Sequence, residues 1–168
     1  MERQLNRITS PLGAMLLVTD AQGTVWSLGF VDPVDRLDSE LPDRVAKIVG
    51  KLEAYFDGHI SALEDIPVAN QGSELERRVW LALRKIPAGT TTTYGELALS
   101  LGFTDPRMAK EVGTAIGANP VALIVPCHRV IGKDGSLRGY RWGVERKRAL
   151  LERETRARAF QLVPTPGG

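Results

Sequence analysis

The chain has 168 residues, of which 43% are apolar and 25% are charged, close to the average of soluble globular proteins. This composition argues against a mostly disordered chain, and no apolar run approaches the ~20 residues of a membrane span. The net charge of +2 is uneven: residues 1–70 carry 6 Lys/Arg and 11 Asp/Glu, whereas residues 71–168 carry 16 and 9. Two units with different partners are therefore expected, and the basic unit suits a polyanion.

The first part of the chain predicts a small α/β unit. Residues 13–18 and 24–30 are predicted strands, and the residues between them supply the turn of a β-hairpin. A helix is predicted from Pro42 onward, because apolar residues then recur at helical spacing until Gly58, which suits a C-terminal stop. Residues 59–72 lose this periodicity and contain Pro and Gly, so the domain crossing is expected there.

The second part of the chain is predicted to be mainly helical. Helices are expected over residues 74–85, 94–101, 106–117 and 144–156, with a short buried strand over 123–125. Capping boxes at Ser73/Glu76 and Thr93/Glu96 start the first two helices, and Pro106 suits the first turn of the third. The second and third helices suggest a helix-turn-helix, with a plain helical hairpin as the equally weighted alternative.

These elements give the expected division of the chain. Domains are expected at residues 1–68 and 69–156, followed by a flexible tail at 157–168. Cys127 is the single cysteine and the histidines are only His59 and His128, which excludes an internal disulfide and makes a metal site unexpected. We therefore expect a cytoplasmic protein, nucleoid-associated in a prokaryote, because the apolar run at residues 14–18 is too short for a secretory signal.

The stretch Val-Pro-Cys-His-Arg-Val at residues 125–130 is the most informative. A lone cysteine is usually a small buried hydrophobe, but His128 and Arg129 supply the base and the cation that favour a reactive thiolate. Neighbours in extended chain point to opposite faces, so a water is expected to relay the proton from Cys127 to His128. Three carboxylates of the last helix are candidates for orienting the histidine: Glu145, Glu152 and Glu154.

An ordered set of motifs resembles the O6-alkylguanine-DNA alkyltransferases. The motifs are Asn-Pro at 119–120, Ile-Val-Pro-Cys-His-Arg-Val-Ile-Gly at 124–132 and Gly-Tyr-Arg-Trp-Gly-Val-Glu-Arg-Lys at 139–147, preceded by Ser-Pro-Leu-Gly at 10–13, Val-Trp at 79–80, Ile-Pro-Ala-Gly at 86–89 and Thr-Tyr-Gly-Glu-Leu-Ala at 93–98. The resemblance is dense over residues 73–154 and looser over 10–70. It implies a fold of class α/β plus α, with a small ribonuclease H-like α/β domain followed by a winged-helix-like domain that contains a helix-turn-helix.

The resemblance implies a DNA-repair protein that moves an alkyl group from O6-alkylguanine, and from O4-alkylthymine, irreversibly to its own cysteine in one turnover. Cys127 would be the nucleophile, His128 the base acting through water, and Glu154 the residue that orients it. The implied lesion pocket is formed by Tyr94, Asn119, Val130, Tyr140, Arg141 and Trp142. No cofactor is implied, because the lesion is the alkyl donor, and the zinc ligands that some relatives carry in the first domain are absent.

The implied partner is double-stranded DNA, contacted in the minor groove while the damaged nucleotide is flipped out of the stack. DNA contacts are expected from Thr93, Arg107, Ala109, Lys110 and Arg129. Lys110 stands where the family has an arginine that fills the gap in the base stack, and lysine lacks the planar guanidinium, so slower base extrusion is expected. Arg107, one turn earlier, is the alternative filler.

Two further expectations concern the pocket and the assembly. Trp142 is expected either to narrow the alkyl pocket against large adducts such as benzyl or to serve only in packing. The expected form is a monomer without a membrane partner, with cooperative assembly on DNA left open.

Three alternative functions compete with a suicide transferase. The first is a non-catalytic or weakly catalytic lesion-binding helix-turn-helix protein, which Cys127 argues against and Lys110 keeps open. The second is a helix-turn-helix regulator that senses alkylation or oxidation at Cys127, although no dimerisation segment is evident. The third is a Cys-His hydrolase, which would need turnover and an oxyanion hole, and nothing in the sequence indicates one.

Overall fold

The structure, a computed structural model, describes residues 2–162, apart from the side chains of residues 161 and 162. An antiparallel sheet of order β1-β2-β3 opens the chain, with β1 at Arg3–Ile8, β2 at Met15–Asp20 and β3 at Val25–Phe30. The predicted hairpin is confirmed, since β2 and β3 pair with a bulge between Val18 and Thr19. The sequence does not predict β1, because this edge strand is largely polar and buries only Asn6 and Ile8.

Helix α1 (Asp43–Phe56) follows the sheet. Its buried side chains are Val45, Ile48, Leu52 and Tyr55, which recur at the spacing of one helix face. Gly58 adopts a φ of 108° just after the helix, a conformation that favours glycine, so the predicted stop is confirmed.

The outer edge of β3 is covered by two later segments of the chain. Val25 exchanges two main-chain hydrogen bonds with residues 67–69, and Leu28 exchanges two with residues 120–122, at N–O distances of 2.7–3.0 Å. The first contact fixes the segment that leaves the sheet unit. The second anchors the segment that leads to Cys127, so the sheet helps to position the reactive stretch.

The rest of the described chain is mainly helical, as predicted. The helices are α2 (Glu74–Arg84), α3 (Tyr94–Ser100), α4 (Pro106–Gly117) and α5 (Val144–Leu162). Both predicted capping boxes are formed, at Ser73/Glu76 and Thr93/Glu96, and Pro106 stands in the first turn of α4. Strands β4 (Thr92–Thr93) and β5 (Val130–Ile131) pair in parallel, which places the start of α3 beside the chain that follows Arg129.

Two local predictions are wrong. Residues 123–125 form a buried turn rather than a strand, with Leu123 at a φ of 68°, and lead into a 3-10 turn at Cys127–Arg129. Apolarity alone does not separate a buried turn from a buried strand. Helix α5 continues past residue 156 because no Gly or Pro occurs before Pro164, so residues 157–162 are helical rather than tail, and residues 163–168 lie outside the described part. Within residues 2–162, no helix combines the length and apolarity needed to cross a bilayer.

Candidate active site

Cys127 lies in the wall of a cavity of about 380 Å³, within the range of small-ligand pockets. The cavity is lined by residues of α3, α4, the Cys127 turn and the segment before α5: Tyr94, Gly113, Ile116, Gly117, Cys127, Gly139, Tyr140 and Arg141. The structure therefore brings together the predicted nucleophile and three of the six predicted pocket residues, namely Tyr94, Tyr140 and Arg141. The residue Cys127 is 6% exposed.

Glu154 on α5 is the centre of a buried network and is only 1% exposed. Its Oε2 accepts hydrogen bonds from His128 Nε2 at 2.6 Å, from the Tyr55 hydroxyl at 2.5 Å and from Arg129 Nη2 at 3.1 Å. Its Oε1 accepts from Arg129 Nε at 2.8 Å and from the Gly89 N–H at 3.3 Å. Burial opposes ionisation, but His128 and Arg129 lower the pKa of Glu154 well below its usual range, so the carboxylate is ionised at neutral pH.

His128 is fully buried and is oriented by this carboxylate. An ionised carboxylate only accepts hydrogen bonds, so Nε2 carries the imidazole proton and Nδ1 is the accepting nitrogen. Nδ1 has no hydrogen-bond partner among the described residues. Burial lowers the pKa of His128 although Glu154 acts in the opposite direction, so the imidazole is neutral at pH 7 and can take up a proton at Nδ1.

The Cys127 thiol is protonated in this environment. Burial raises its pKa above the usual value, while Asn119, Lys147 and Arg141 act in the opposite direction. A buried thiol of this kind needs a base to become a nucleophile. His128, the next residue in the chain, is neutral and can act as this base.

Lys147 on α5 fixes the chain on both sides of the cavity wall. Its ammonium donates hydrogen bonds to the carbonyl oxygens of Val130 at 2.6 Å, Leu137 at 2.8 Å and Gly139 at 3.1 Å. Burial lowers the pKa of Lys147 to about 8, and the nearby Cys127 acts in the opposite direction. Through these three hydrogen bonds the ammonium joins β5 to the segment that carries Tyr140 into the cavity.

Asn119 and Val130 do not line the cavity as predicted. The Asn119 amide is buried behind Cys127, where it donates to the carbonyls of Val121 at 3.1 Å and Val125 at 2.8 Å and accepts the Val121 N–H at 3.0 Å. These three hydrogen bonds fix the conformation of the turn that leads into Cys127. Val130 is 0% exposed and belongs to β5, so its role is packing.

Trp142 is not among the residues that line the cavity, and its predicted effect on large adducts stays a prediction. Its ring packs edge-on against Tyr140, with ring centroids 5.3 Å apart. The ring nitrogen lies so close to Gly29 of β3 that a Cβ at this glycine would approach it to 2.7 Å. Trp142 thus packs between the sheet and Tyr140.

Arg129, predicted to contact DNA, is instead a buried partner of Glu154. It is 6% exposed, and its guanidinium also donates to the Ile86 carbonyl at 2.8 Å. Arg107 and Lys110 are exposed on α4, where Arg107 pairs with Asp105 at 2.9 Å, and Ala109 is half-buried. Thr93 caps α3 through its hydroxyl.

Three residues that hold the site together are missed by the sequence prediction: Tyr55 and Gly89, which donate to Glu154, and Lys147, which fixes the segments beside the cavity. Tyr55 follows the buried Leu52 by three residues, and Lys147 precedes the buried Leu150 by three. A polar side chain on an apolar helix face is therefore the signal that finds both. Nothing in the sequence around Gly89 indicates that its N–H donates to a carboxylate.

Comparison with known proteins relates this geometry to an activity. Residues 74–156 match the family model described as 6-O-methylguanine DNA methyltransferase, DNA binding domain. A methylated-DNA–protein-cysteine methyltransferase of Salmonella typhimurium is 38% identical over 161 residues, which are 88% of this chain and 93% of the relative. A protein with the same name from Mycolicibacterium paratuberculosis is 42% identical over 153 residues, 89% of this chain and 90% of the relative.

The structural comparison agrees with the sequence comparison. The crystal structure of Mycobacterium tuberculosis OGT in complex with DNA has a TM-score of 0.76 at 40% identity, and the match covers 91% of this chain and 93% of that one. The mixed α/β arrangement of a small sheet with helices is thus shared over most of the chain.

Proposed function

The chain belongs to the family of methylated-DNA–protein-cysteine methyltransferases, and we propose that Cys127 is the residue that accepts the alkyl group. It is a DNA-repair alkyltransferase that transfers a methyl group from DNA to a cysteine of its own. The full sequence contains a single cysteine. This count, together with the position of Cys127 in the cavity wall, carries the assignment.

The network around Cys127 supports a base-assisted displacement. The thiol proton passes through a water to His128 Nδ1, and the ionised Glu154 stabilises the imidazolium that forms. Sγ then attacks the alkyl carbon on guanine O6, so that the S–C bond forms while the C–O bond breaks. The restored guanine gains a proton, which balances the proton lost by the thiol.

Tyr94 is the proposed donor of a hydrogen bond to the departing guanine. It lies in the cavity wall, and burial together with Cys127 raises the pKa of its hydroxyl, which keeps it protonated. The product is a thioether on a buried residue, so each chain acts once. No cofactor is needed, because the lesion itself is the alkyl donor. O4-alkylthymine is the proposed second substrate, since it presents the same kind of alkyl aryl ether.

The proposed DNA interface is the helix-turn-helix of α3 and α4, entering the minor groove. The cavity is lined from α3 and α4, and α4 carries the exposed Arg107 and Lys110. Because the target atom lies within the duplex, the damaged nucleotide has to leave the stack to reach Cys127. The charge of the second part of the chain, 16 Lys/Arg against 9 Asp/Glu, supports a partner with a phosphate backbone.

The finer description of the fold is part of the same proposal. We assign a ribonuclease H-like domain to residues 1–68 and a winged-helix-like domain to residues 69–156. The antiparallel sheet followed by α1 supports the first assignment, and the succession of α2, α3 and α4 supports the second. The proposed form is a cytoplasmic monomer, with cooperative assembly on DNA as the alternative.

The test of the proposed function is the intact mass of the protein after mixing with excess duplex that contains one O6-methylguanine. We expect a gain of one methyl group per chain, located by peptide mapping on the peptide that contains Cys127. Cys127→Ala is the control and should stay unmodified. A wild-type chain that binds the lesion without a gain in mass would instead favour the lesion-binding alternative.

Lys110→Arg is expected to accelerate repair of duplex DNA several-fold. Arginine at this exposed position of α4 can stack in the gap left by the flipped base, whereas the lysine ammonium is a compact point charge. The measurement is the single-turnover rate on duplex against single-stranded DNA that carries the same lesion. The gain should be confined to the duplex, because single-stranded DNA needs no extrusion. Equal duplex rates for both proteins would contradict the role of Lys110, and Arg107→Lys serves as the matched exchange one turn earlier.

A further inference from the structure

The first unit of the chain supplies one side chain to the Glu154 network. We propose that Tyr55 is a positioning residue for alkyl transfer, whose hydroxyl holds the Glu154 carboxylate and thereby sets the proton affinity of His128. This inference rests on the proposed function of Cys127 and His128. It gives the sheet-bearing unit a role in the chemistry of a cavity that is lined entirely by later residues.

The geometry of Tyr55 is well defined. Tyr55 lies at the end of α1 and is 2% exposed. Its ring packs edge-on against Phe56, with ring centroids 5.2 Å apart. The hydroxyl lies 2.5 Å from Glu154 Oε2, the same oxygen that accepts the hydrogen bond of His128 Nε2 at 2.6 Å. Burial and the charge of Glu154 raise the pKa of Tyr55 well above its usual value, so the hydroxyl is protonated and donates at neutral pH.

Tyr55 differs from the other donors to Glu154 in its origin. The remaining donors within the described residues are Gly89, His128 and Arg129, all from the second part of the chain. Tyr55 is 99 residues away from Glu154 in sequence. Its contact therefore exists only when the sheet unit is docked on α5.

Tyr55 and His128 donate to the same oxygen, Glu154 Oε2, so Tyr55 affects the basicity of His128. A hydrogen bond from Tyr55 draws negative charge away from His128, so Glu154 stabilises an imidazolium less than an unshared carboxylate would. The other charged or titratable groups that face His128 or Glu154 are Arg129, Lys147 and Tyr140. These groups stay in place when Tyr55 is changed, so a shift on its removal reports on the tyrosine hydroxyl.

Tyr55→Phe is the test, because it removes the hydroxyl and keeps the ring. Without this donor the pKa of His128 rises, and a larger fraction of the imidazole is already protonated and unable to accept the thiol proton. The single-turnover rate of methyl transfer is measured from pH 5 to pH 8.5 with a duplex containing one O6-methylguanine. We expect the acidic limb to move upward by about half to one pH unit and the rate near the limb to fall about three- to tenfold. The affinity for the duplex should not change.

Thr19→Val is the matched control. Thr19 is fully buried in β2, and its hydroxyl has no hydrogen-bond partner among the described residues. Its removal tests the loss of a buried hydroxyl from the same unit, and the pH profile should stay that of the wild type. A merely structural role of Tyr55 would lower the melting temperature without moving the acidic limb.

A second variant covers the case in which Tyr55→Phe does not fold. Fluorotyrosine incorporated at position 55 keeps the ring and the hydroxyl but makes the hydroxyl a stronger donor, so the limb should move to lower pH. An unchanged limb in every Tyr55 variant that folds would overturn the role of Tyr55. Failure of the wild type to take up a methyl group would overturn the proposed function instead, so the two failures are distinguishable.

Discussion

Glu154→Gln is expected to be the slowest and least stable of the variants that keep Cys127. Glutamine has the shape of glutamate but no charge, and it places an amide NH₂ among the donors His128, Arg129 and Tyr55. Removing one partner of a buried charge pair costs about 3–5 kcal/mol, because the Arg129 guanidinium remains buried without its counter-ion. The imidazolium formed in the reaction also loses its stabilisation, so transfer should slow by about 10²–10⁴.

Single-turnover rates and thermal unfolding measure the two losses, and the stability loss has a pH signature. Since the pKa of Glu154 is lowered by folding, its contribution is complete above the pKa of an unfolded glutamate and is lost as the pH falls toward the folded value. The stability gap between wild type and variant should therefore narrow from pH 6 to pH 3. Glu152→Gln, an exposed neighbour on α5, is the control and should match the wild type in both measurements. A wild-type rate in Glu154→Gln would refute the role of the carboxylate.

Lys147→Met is expected to lower stability and loosen the cavity wall at the same time. Methionine fills a similar volume but leaves the carbonyls of Val130, Leu137 and Gly139 without their shared donor. A buried acceptor left unsatisfied costs roughly 1–3 kcal/mol, so we expect a total loss of about 3 kcal/mol or more. For a chain of this size this corresponds to a decrease in melting temperature of roughly 6–12 °C.

The effect on activity separates this role from simple destabilisation. At a temperature at which the variant is folded, methyl transfer should slow while DNA affinity is retained, because Tyr140 and Arg141 follow directly after the released carbonyl of Gly139. Lys133→Met removes an exposed lysine from the adjacent turn and should leave both melting temperature and rate unchanged. An unchanged melting temperature for Lys147→Met would show that the three hydrogen bonds contribute little.

The parts of the fold that depend on local chemistry follow from the sequence. Both capping boxes form because each joins two residues only three positions apart, as at Thr93 and Glu96. The hairpin follows from two apolar segments on either side of a polar turn. Strand β1 cannot be predicted in this way, because it lies at the edge of the sheet and has little apolar pattern. The turn at 123–125 is mistaken for a strand because its residues are as apolar and as buried as those of a strand.

In the candidate site, too, the features set by neighbouring residues can be predicted and the contacts between distant residues cannot. The neighbouring Cys127 and His128 are visible in the sequence, but the residues alone leave three carboxylates open and only the family resemblance implies Glu154. The structure gives the reason for Glu154, since it follows the buried Leu150 by one turn, whereas the Glu145 side chain is 92% exposed. The resemblance implies a DNA contact for Arg129, but in the structure its partner is Glu154, 25 residues further along the chain. Tyr55 is further still from Glu154, and only the docking of α1 against α5 creates that contact.

The covered edge of β3 bears on how the chain can be divided. Val25 and Leu28 satisfy their outward N–H and C=O groups with residues 67–69, which span the predicted boundary, and with residues 120–122 of the second unit. Cleavage after residue 70 would leave half of that edge open in an isolated sheet unit, and an open strand edge is a template for pairing with another molecule. Fragments produced separately are therefore expected to aggregate or to reassociate, so insertions and tags are better tolerated at exposed surface loops than at the junction between the two units.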